Sequence, residues 1–259
     1  MLGAIAGDII GSVHEHQPIK STSFPLFCAG SQFTDDTVLT VAVADCLLHR
    51  SSYANRFEDY YYRYPNAGYG ARFHEWASSH THEPYNSWGN GSAMRASPVG
   101  WAFPDLDSTL AEARRTAEVT HNHPEGIKGA EAVAAAVYLA RHGSSKGEIR
   151  RFIEQAFRYD LSRSLAEIRP AYSFDVSCAG TVPQAIISFL EAEDFEGTVR
   201  NAVSLGGDAD TLACIAGGIA EAYFGEVPQK IAARVFEILD EPLAEVTRRF
   251  MQAHGRRHP

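Results

Sequence analysis

Two short acidic segments carry the chemistry that stands out in this sequence. Thr34-Asp35-Asp36-Thr37 and Gly206-Gly207-Asp208-Ala209-Asp210-Thr211 each stand immediately before a strongly apolar run. At such a position threonine and aspartate cap a helix N-terminus and complement the positive end of its dipole. Asp208 and Asp210 are two apart, so they cannot lie side by side on a regular helix. They can converge in an irregular turn before one, and Gly206-Gly207 permits that backbone. Carboxylates drawn toward an interior repel one another and resist desolvation unless they are countered. Neither segment contains a lysine or arginine. The ligands on offer are hard oxygens, including the Thr34 and Thr211 hydroxyls, which suit Mg²⁺ or Mn²⁺ better than zinc. Two helix N-termini could hold two such ions about 3.5–4 Å apart. From spacing alone, capping and metal binding stand level, because the two segments need not meet in space.

The elements that must position these segments read as helices. Leu2, Ile5, Ala6, Ile9, Ile10 and Val13 recur at three- and four-residue steps, predicting a first helix with one apolar stripe. Residues 38–48 are apolar almost all round, which predicts a central helix buried on most sides. Periodicity predicts further helices over 56–62, 70–78, 108–120, 126–141, 146–158, 182–190, 196–205, 211–224, 229–238 and 244–254. Gly143 and Gly225 sit where C-terminal caps belong, and Pro228 sits where a following helix begins. Residues 162–177 are ambiguous and read as loop. No run of alternating β-branched and polar residues appears, nor a hairpin signal, linker or repeat. The expectation is one all-α domain over residues 1–259.

Composition narrows the function classes. The 259 residues include 45% hydrophobic and 21% charged, the ordinary globular range, with a formal net charge of -9. A nucleic-acid partner would need a local basic patch. The pairs Arg150–Arg151, Arg248–Arg249 and Arg256–Arg257 are dispersed, and they read as solvated faces and tail. Nucleic acid is therefore expected only as a modified substrate. Cys28, Cys46, Cys178 and Cys214 form no C-x-x-C pair and read as free thiols of a reducing compartment. The start lacks a basic n-region, and no stretch of about 18 apolar residues exists. A cytoplasmic protein without a membrane span is expected.

Four segments, in order, resemble the ADP-ribosylglycohydrolase family, which includes dinitrogenase reductase-activating glycohydrolase and ADP-ribosylarginine and ADP-ribosylserine hydrolases. They are Gly7-Asp8-Ile9-Ile10-Gly11 with Glu15; Thr34-Asp35-Asp36-Thr37; Gly89-Asn90-Gly91-Ser92-Ala93-Met94-Arg95; and Gly206-Gly207-Asp208-Ala209-Asp210-Thr211 with Ala216-Gly217-Gly218. The resemblance implies an all-α orthogonal multi-helix bundle with a two-metal centre at the floor of a cleft. By position it makes Thr34, Asp35, Asp36, Asp208, Asp210 and Thr211 the ligands of two Mg²⁺ or Mn²⁺ ions, and Glu15, Asp36 and Asp208 the catalytic set. Asp8 is expected behind the ligands rather than among them. The implied reaction releases ADP-ribose from a protein side chain or small molecule through an oxocarbenium-like transition state.

The same resemblance gives Asn90, Gly91, Ser92 and Met94 substrate contact, against the plain reading of a tight turn. It also places the substrate's diphosphate near Thr120-His121-Asn122-His123-Pro124-Glu125-Gly126, so His121, His123, Glu125 and Gly126 are expected at an anion site opening the next helix. His121 and His123 read alternatively as metal ligands or as surface hydrogen-bonding groups. Tyr60-Tyr61-Tyr62 and Trp76 suggest an adenine shelf, but their helical spacing favours packing. Residues 79–87 and 162–177 are the expected determinants of the acceptor, which the shared motifs leave open. Two alternatives remain: a catalytically silent ADP-ribose-binding or structural relative, and a metal-dependent phosphohydrolase.

Overall fold

The computed structural model describes residues 1–255, so the Arg256–Arg257 pair lies outside the described residues. The elements in chain order are α1 (Leu2–Gly11), α2 (Asp35–His49), α3 (Tyr53–Arg63), α4 (Ala71–Ser79), α5 (Gly91–Met94), α6 (Ser97–Ala102), α7 (Leu106–Glu118) and α8 (Pro124–Arg141). They continue as α9 (Lys146–Phe157), α10 (Leu165–Ile168), α11 (Cys178–Leu190), α12 (Phe195–Val203), α13 (Ala209–Phe224), α14 (Gln229–Ile238) and α15 (Glu241–His254). The fold is all-α. Among the described residues the only extended pairing is an isolated antiparallel bridge between Gly89 and Ser177.

Helix α1 departs from the single apolar stripe expected of it, because all ten of its residues are buried. Its second face is made of Gly3, Gly7 and Gly11, which lie against the backbone of α13 at Gly217, Ala213 and Ala209. A Cβ at Gly7 would overlap the Ala213 carbonyl, so glycine there is what lets the two helices touch backbone to backbone. Glu221 of α13 accepts from the Gly3 N–H at 2.8 Å and the Met1 amine at 2.6 Å, satisfying donors that a helix start leaves orphaned. The close crossing brings Asp8, in the second turn of α1, beside the N-termini of α2 and α13.

Helices α2 and α13 form the rest of the centre. Helix α2 is buried from Asp36 through Cys46, and α13 from Ala209 through Ala222. Thr34 caps α2, its hydroxyl accepting from the Asp36 N–H at 3.3 Å. Gly143 and Gly225 take φ of 82° and 97° beyond α8 and α13, and Pro228 caps α14, as their spacing predicts. Three short helices, α5, α6 and α10, lie outside the ranges that periodicity predicts. Residues 91–94 form a turn of helix rather than an open loop, and α6 follows with Pro98 in its first turn. Gly91, Pro98 and Gly100 mask the periodicity there. Residues 162–177 hold one helical turn, α10, fixed by a Ser164–Glu167 capping box, and then run extended into the Gly89 bridge. No helix among the described residues is long and apolar enough to cross a membrane.

Candidate active site

The site is built outward from Asp8. Its fully buried carboxylate accepts from the Thr34 N–H at 3.0 Å, the Thr34 hydroxyl at 2.7 Å, the Thr37 N–H at 3.1 Å and the Thr37 hydroxyl. Asp8 thereby ties the first turn of α2 to α1 and fixes Thr34-Asp35-Asp36-Thr37 in space. On the other side, Asn90 donates to Asp208 Oδ2 at 2.8 Å and to the Thr181 hydroxyl at 3.1 Å. The Thr211 hydroxyl donates to Asp36 Oδ2 at 3.3 Å, which joins the two acidic segments directly. The segments that spacing left apart do meet.

Carboxylates crowd at this junction. One oxygen each of Glu15, Asp208 and Asp210 lies within 4.8 Å of the others. Asp36 and Asp210 are buried, and Asp36 Oδ1 is buried with no hydrogen-bond partner. Burial pushes the Asp35 carboxyl up to about 8, with Asp8 and Asp208 adding repulsion. Burial likewise holds Asp36 well above the usual range, reinforced by Asp8, Asp35 and Asp208. Asp210 is raised by burial and then by Asp36 and Asp208. Glu15 is raised by burial, with His16 opposing and Asp208 and Asp8 adding to the rise. No lysine or arginine of the described residues forms an ion pair with any of these groups. Such a set is stable only if protonated or if cations supply the missing charge. The oxygen-only donors and the orphaned Asp36 Oδ1 fit hard divalent ions. Thr34 and Thr211 donate their hydroxyl protons to Asp8 and Asp36, which leaves oxygen lone pairs free for a cation.

Above these groups opens a cleft of about 450 Å³. Glu15, Thr34, Asp35, Asp36, Asp208, Asp210 and Thr211 line it, and so do Asn90, Gly91, Met94 and His121. Ser92, His123, Glu125 and Gly126 do not. The Ser92 hydroxyl donates to the Gly126 carbonyl at 2.7 Å beneath the wall, and Gly126 packs against Ser87 and His121. His123 caps α8 by accepting from the Glu125 N–H, and Glu125 pairs with Lys128 at 2.7 Å. The Glu125 N–H and Oε1 are thus taken by neighbouring side chains, Glu125 Oε2 is buried without a partner, and of that segment His121 alone reaches the cleft. Neither His121 nor His123 joins a cluster of ligand atoms among the described residues. Tyr60, Tyr61 and Trp76 are buried in packing, while Tyr62 is exposed against His80.

The rest of the lining was not singled out from sequence. Arg72, Tyr85, Trp88, Arg95, Phe174 and Val176 all face the cleft. Trp88, Phe174 and Val176 are among the few large apolar side chains left exposed, at 49%, 53% and 46%. Arg72 lies over the Tyr85 ring, 5.0 Å from its centroid, and donates to the Tyr85 carbonyl. Tyr85 and Phe174 with Val176 come from the two segments, 79–87 and 162–177, expected to vary with the acceptor.

The ADP-ribosylglycohydrolase family model matches residues 1–259. ADP-ribosylhydrolase ARH3 of Mus musculus is 28% identical, over 88% of this chain and 84% of its own. ADP-ribosylarginine hydrolase Tri1 of Pseudomonas putida is 25% identical, over 87% of this chain and 69% of its own. A solved structure described as an ADP-ribosylglycohydrolase-related protein complex superposes with a TM-score of 0.73 at 25% identity, covering 98% of this chain and 97% of the other. With the acidic segments joined at the cleft floor and the match running the whole length, the chain belongs to the ADP-ribosylglycohydrolase family.

Proposed function

We propose that this cleft hydrolyses the glycosidic bond between ADP-ribose and an acceptor, using two Mg²⁺ or Mn²⁺ ions held by Thr34, Asp35, Asp36, Asp208, Asp210 and Thr211. The observation that carries the reading is the unpaired carboxylate set at the cleft floor, with one buried oxygen of Asp36 left without any partner. When bound, such ions orient ribose hydroxyls and acidify water. Asp8 and Asn90 act behind the ligands: Asp8 holds the Thr34–Thr37 turn and Asn90 aims Asp208. Glu15 stands at the same floor with a carboxyl raised by burial, suited to exchange a proton with the attacking water or the leaving acceptor. The 89–91 turn and His121 take the diphosphate, while Ser92, His123, Glu125 and Gly126 support that wall from behind. Trp88 and Phe174 offer exposed aromatic faces for adenine or the acceptor. Presence of the whole acidic set at one cleft favours catalysis over a silent binding role. The free thiols Cys46, Cys178 and Cys214 suit a reducing cytoplasm.

Calorimetric titration of metal-stripped protein with ADP-ribose, with and without Mg²⁺ or Mn²⁺, tests the reading. Binding that requires the metal is the expected result. Absence of binding under both conditions would remove ADP-ribose as the ligand class and bring metal-dependent phosphohydrolase chemistry forward.

A further inference from the structure

Arg95 is the largest fully buried side chain among the described residues. It lies over the Phe57 ring, 4.3 Å from the centroid, and donates through Nη2 to the Thr116 carbonyl at 2.9 Å and the Thr120 hydroxyl oxygen at 2.8 Å. Its Nε and Nη1 are buried without partners, and no carboxylate of the described residues pairs with it. A buried, unpaired guanidinium is costly enough to call for a reason beyond packing.

That reason lies one bond further on. The Thr120 oxygen, which accepts from Arg95, also sits 2.8 Å from His121 Nδ1. Thr120 is fully buried, and its hydroxyl has no other partner among the described residues. If His121 Nδ1 carried the ring proton and donated it to Thr120, the hydroxyl proton would be buried with nowhere to go. If the hydroxyl donates to Nδ1, both groups are satisfied. The ring proton then belongs to Nε2. That nitrogen lies against the glycine-rich turn, where a Cβ on Gly91 would come within 3.1 Å of it. The ring also stays uncharged: its pKa is held well below 6.5 by burial first, and then by Arg95 and Arg72.

We propose that Arg95 is a positioning residue that acts through Thr120, fixing His121 as the Nε2–H form so that a neutral, aimed N–H donor faces a substrate phosphate at the 89–91 turn. The proposal rests on the diphosphate reading of this wall given above. The chain Arg95 to Thr120 to His121 is directional: the charged donor at its inner end polarises each hydroxyl and N–H bond toward the cleft. No carboxylate of the described residues forms an ion pair with Arg95, so beside the through-space pull of Asp35 its charge is left to favour a substrate phosphate at this wall.

The test is ¹⁵N NMR of the His121 ring in the wild type and in Thr120→Val, Thr120→Ser and Arg95→Lys, with ADP-ribose titrations of each at pH 7 in Mg²⁺. Thr120→Val keeps Arg95 and the side-chain shape, so it reads the relay without emptying the core. Wild type is expected to show protonated Nε2 and bare Nδ1. Thr120→Val is expected to lose that pattern and raise the ADP-ribose Kd about tenfold, the worth of one well-placed hydrogen bond. Thr120→Ser is expected to restore both, while Arg95→Lys is expected to weaken the Nε2–H preference and raise the Kd; a wild-type ring pattern and Kd in Arg95→Lys overturns the role given to Arg95. A wild-type ring protonated at Nδ1, or a Thr120→Val ring and Kd identical to wild type, overturns the relay. Failure of wild type to bind ADP-ribose would overturn the diphosphate reading, while the ring pattern of the free protein still decides the relay.

Discussion

Replacing Asp35 by asparagine is expected to make the metal-free protein more stable while destroying its capacity for metal. The Asp35 carboxyl moves from 3.8 to about 8 on folding, chiefly because burial strips its water. A carboxyl raised in this way favours the folded state fully below the unfolded value and loses that contribution as pH climbs toward the folded one. Between pH 5.5 and 7.5 the loss runs at about 1.4 kcal/mol per pH unit, or about 2.7 kcal/mol across the window. For a chain of this length each kcal/mol moves Tm by about 2–4 °C, so the metal-free wild type should lose about 5–11 °C. Asp35→Asn removes the Asp35 share of this slope and leaves that of Asp36, Asp210 and Glu15, offset by about 0.3–1 kcal/mol for the lost acidic group at the start of α2. Its Tm at pH 7.5 in chelator should therefore exceed that of wild type by several degrees. Added Mg²⁺ should raise Tm only in wild type. Differential scanning calorimetry of both proteins, in chelator and in Mg²⁺, decides the matter. A metal-free wild-type Tm that does not fall over this window, or a variant less stable than wild type at pH 7.5, would mean that the Asp35 carboxyl is not raised in the folded protein.

Four further outcomes are expected. Glu15→Gln should lower kcat at least 100-fold with little change in the ADP-ribose Kd, read by steady-state kinetics beside calorimetry; the size is that of one lost proton-transfer group, about 10²–10⁴. Asn90→Ala removes the 2.8 Å bond that aims Asp208 and should weaken Mg²⁺ binding about 10–100-fold, measured by titration of the stripped protein. Trp88→Ala should raise the ADP-ribose Kd by about tenfold or more if a base stacks there, since such contacts are worth about 1–3 kcal/mol; an unchanged Kd would assign the ring to the acceptor side. Gly7→Ala places a methyl on the Ala213 carbonyl and should cost about 1–3 kcal/mol or more in chemical denaturation, with metal binding weakened as α1 and its Asp8 are pushed off α13.

The acidic half of the site was legible because its residues announce themselves locally. Thr34-Asp35-Asp36-Thr37 and Asp208-Ala209-Asp210-Thr211 stand at the starts of helices whose apolar runs are plain in the sequence. What those segments do to each other was not legible, since the Asp36–Thr211 bond spans 175 positions. Asp8 shows the same limit: its partners Thr34 and Thr37 lie 26 and 29 residues on, and only the glycine face of α1 brings them together. Trp88, Phe174 and Val176 are single apolar residues in irregular chain, so no period marks them. Arg95 stood inside a recognised motif, yet its burial follows from packing on Phe57, which lies in a different helix. Ser92 and His123 had the right chemistry for a ligand wall, but each makes a local bond within the chain, and Glu125 gives one carboxylate oxygen to Lys128.

The most direct test of the account is product analysis with a panel of ADP-ribosylated substrates, on serine, arginine and an O-acetyl group, in chelator and then in Mg²⁺ or Mn²⁺. Free ADP-ribose, formed only with metal and lost in Asp36→Asn, is the expected result. Release of AMP or phosphate in its place, or turnover that persists in chelator, would contradict the account at its centre.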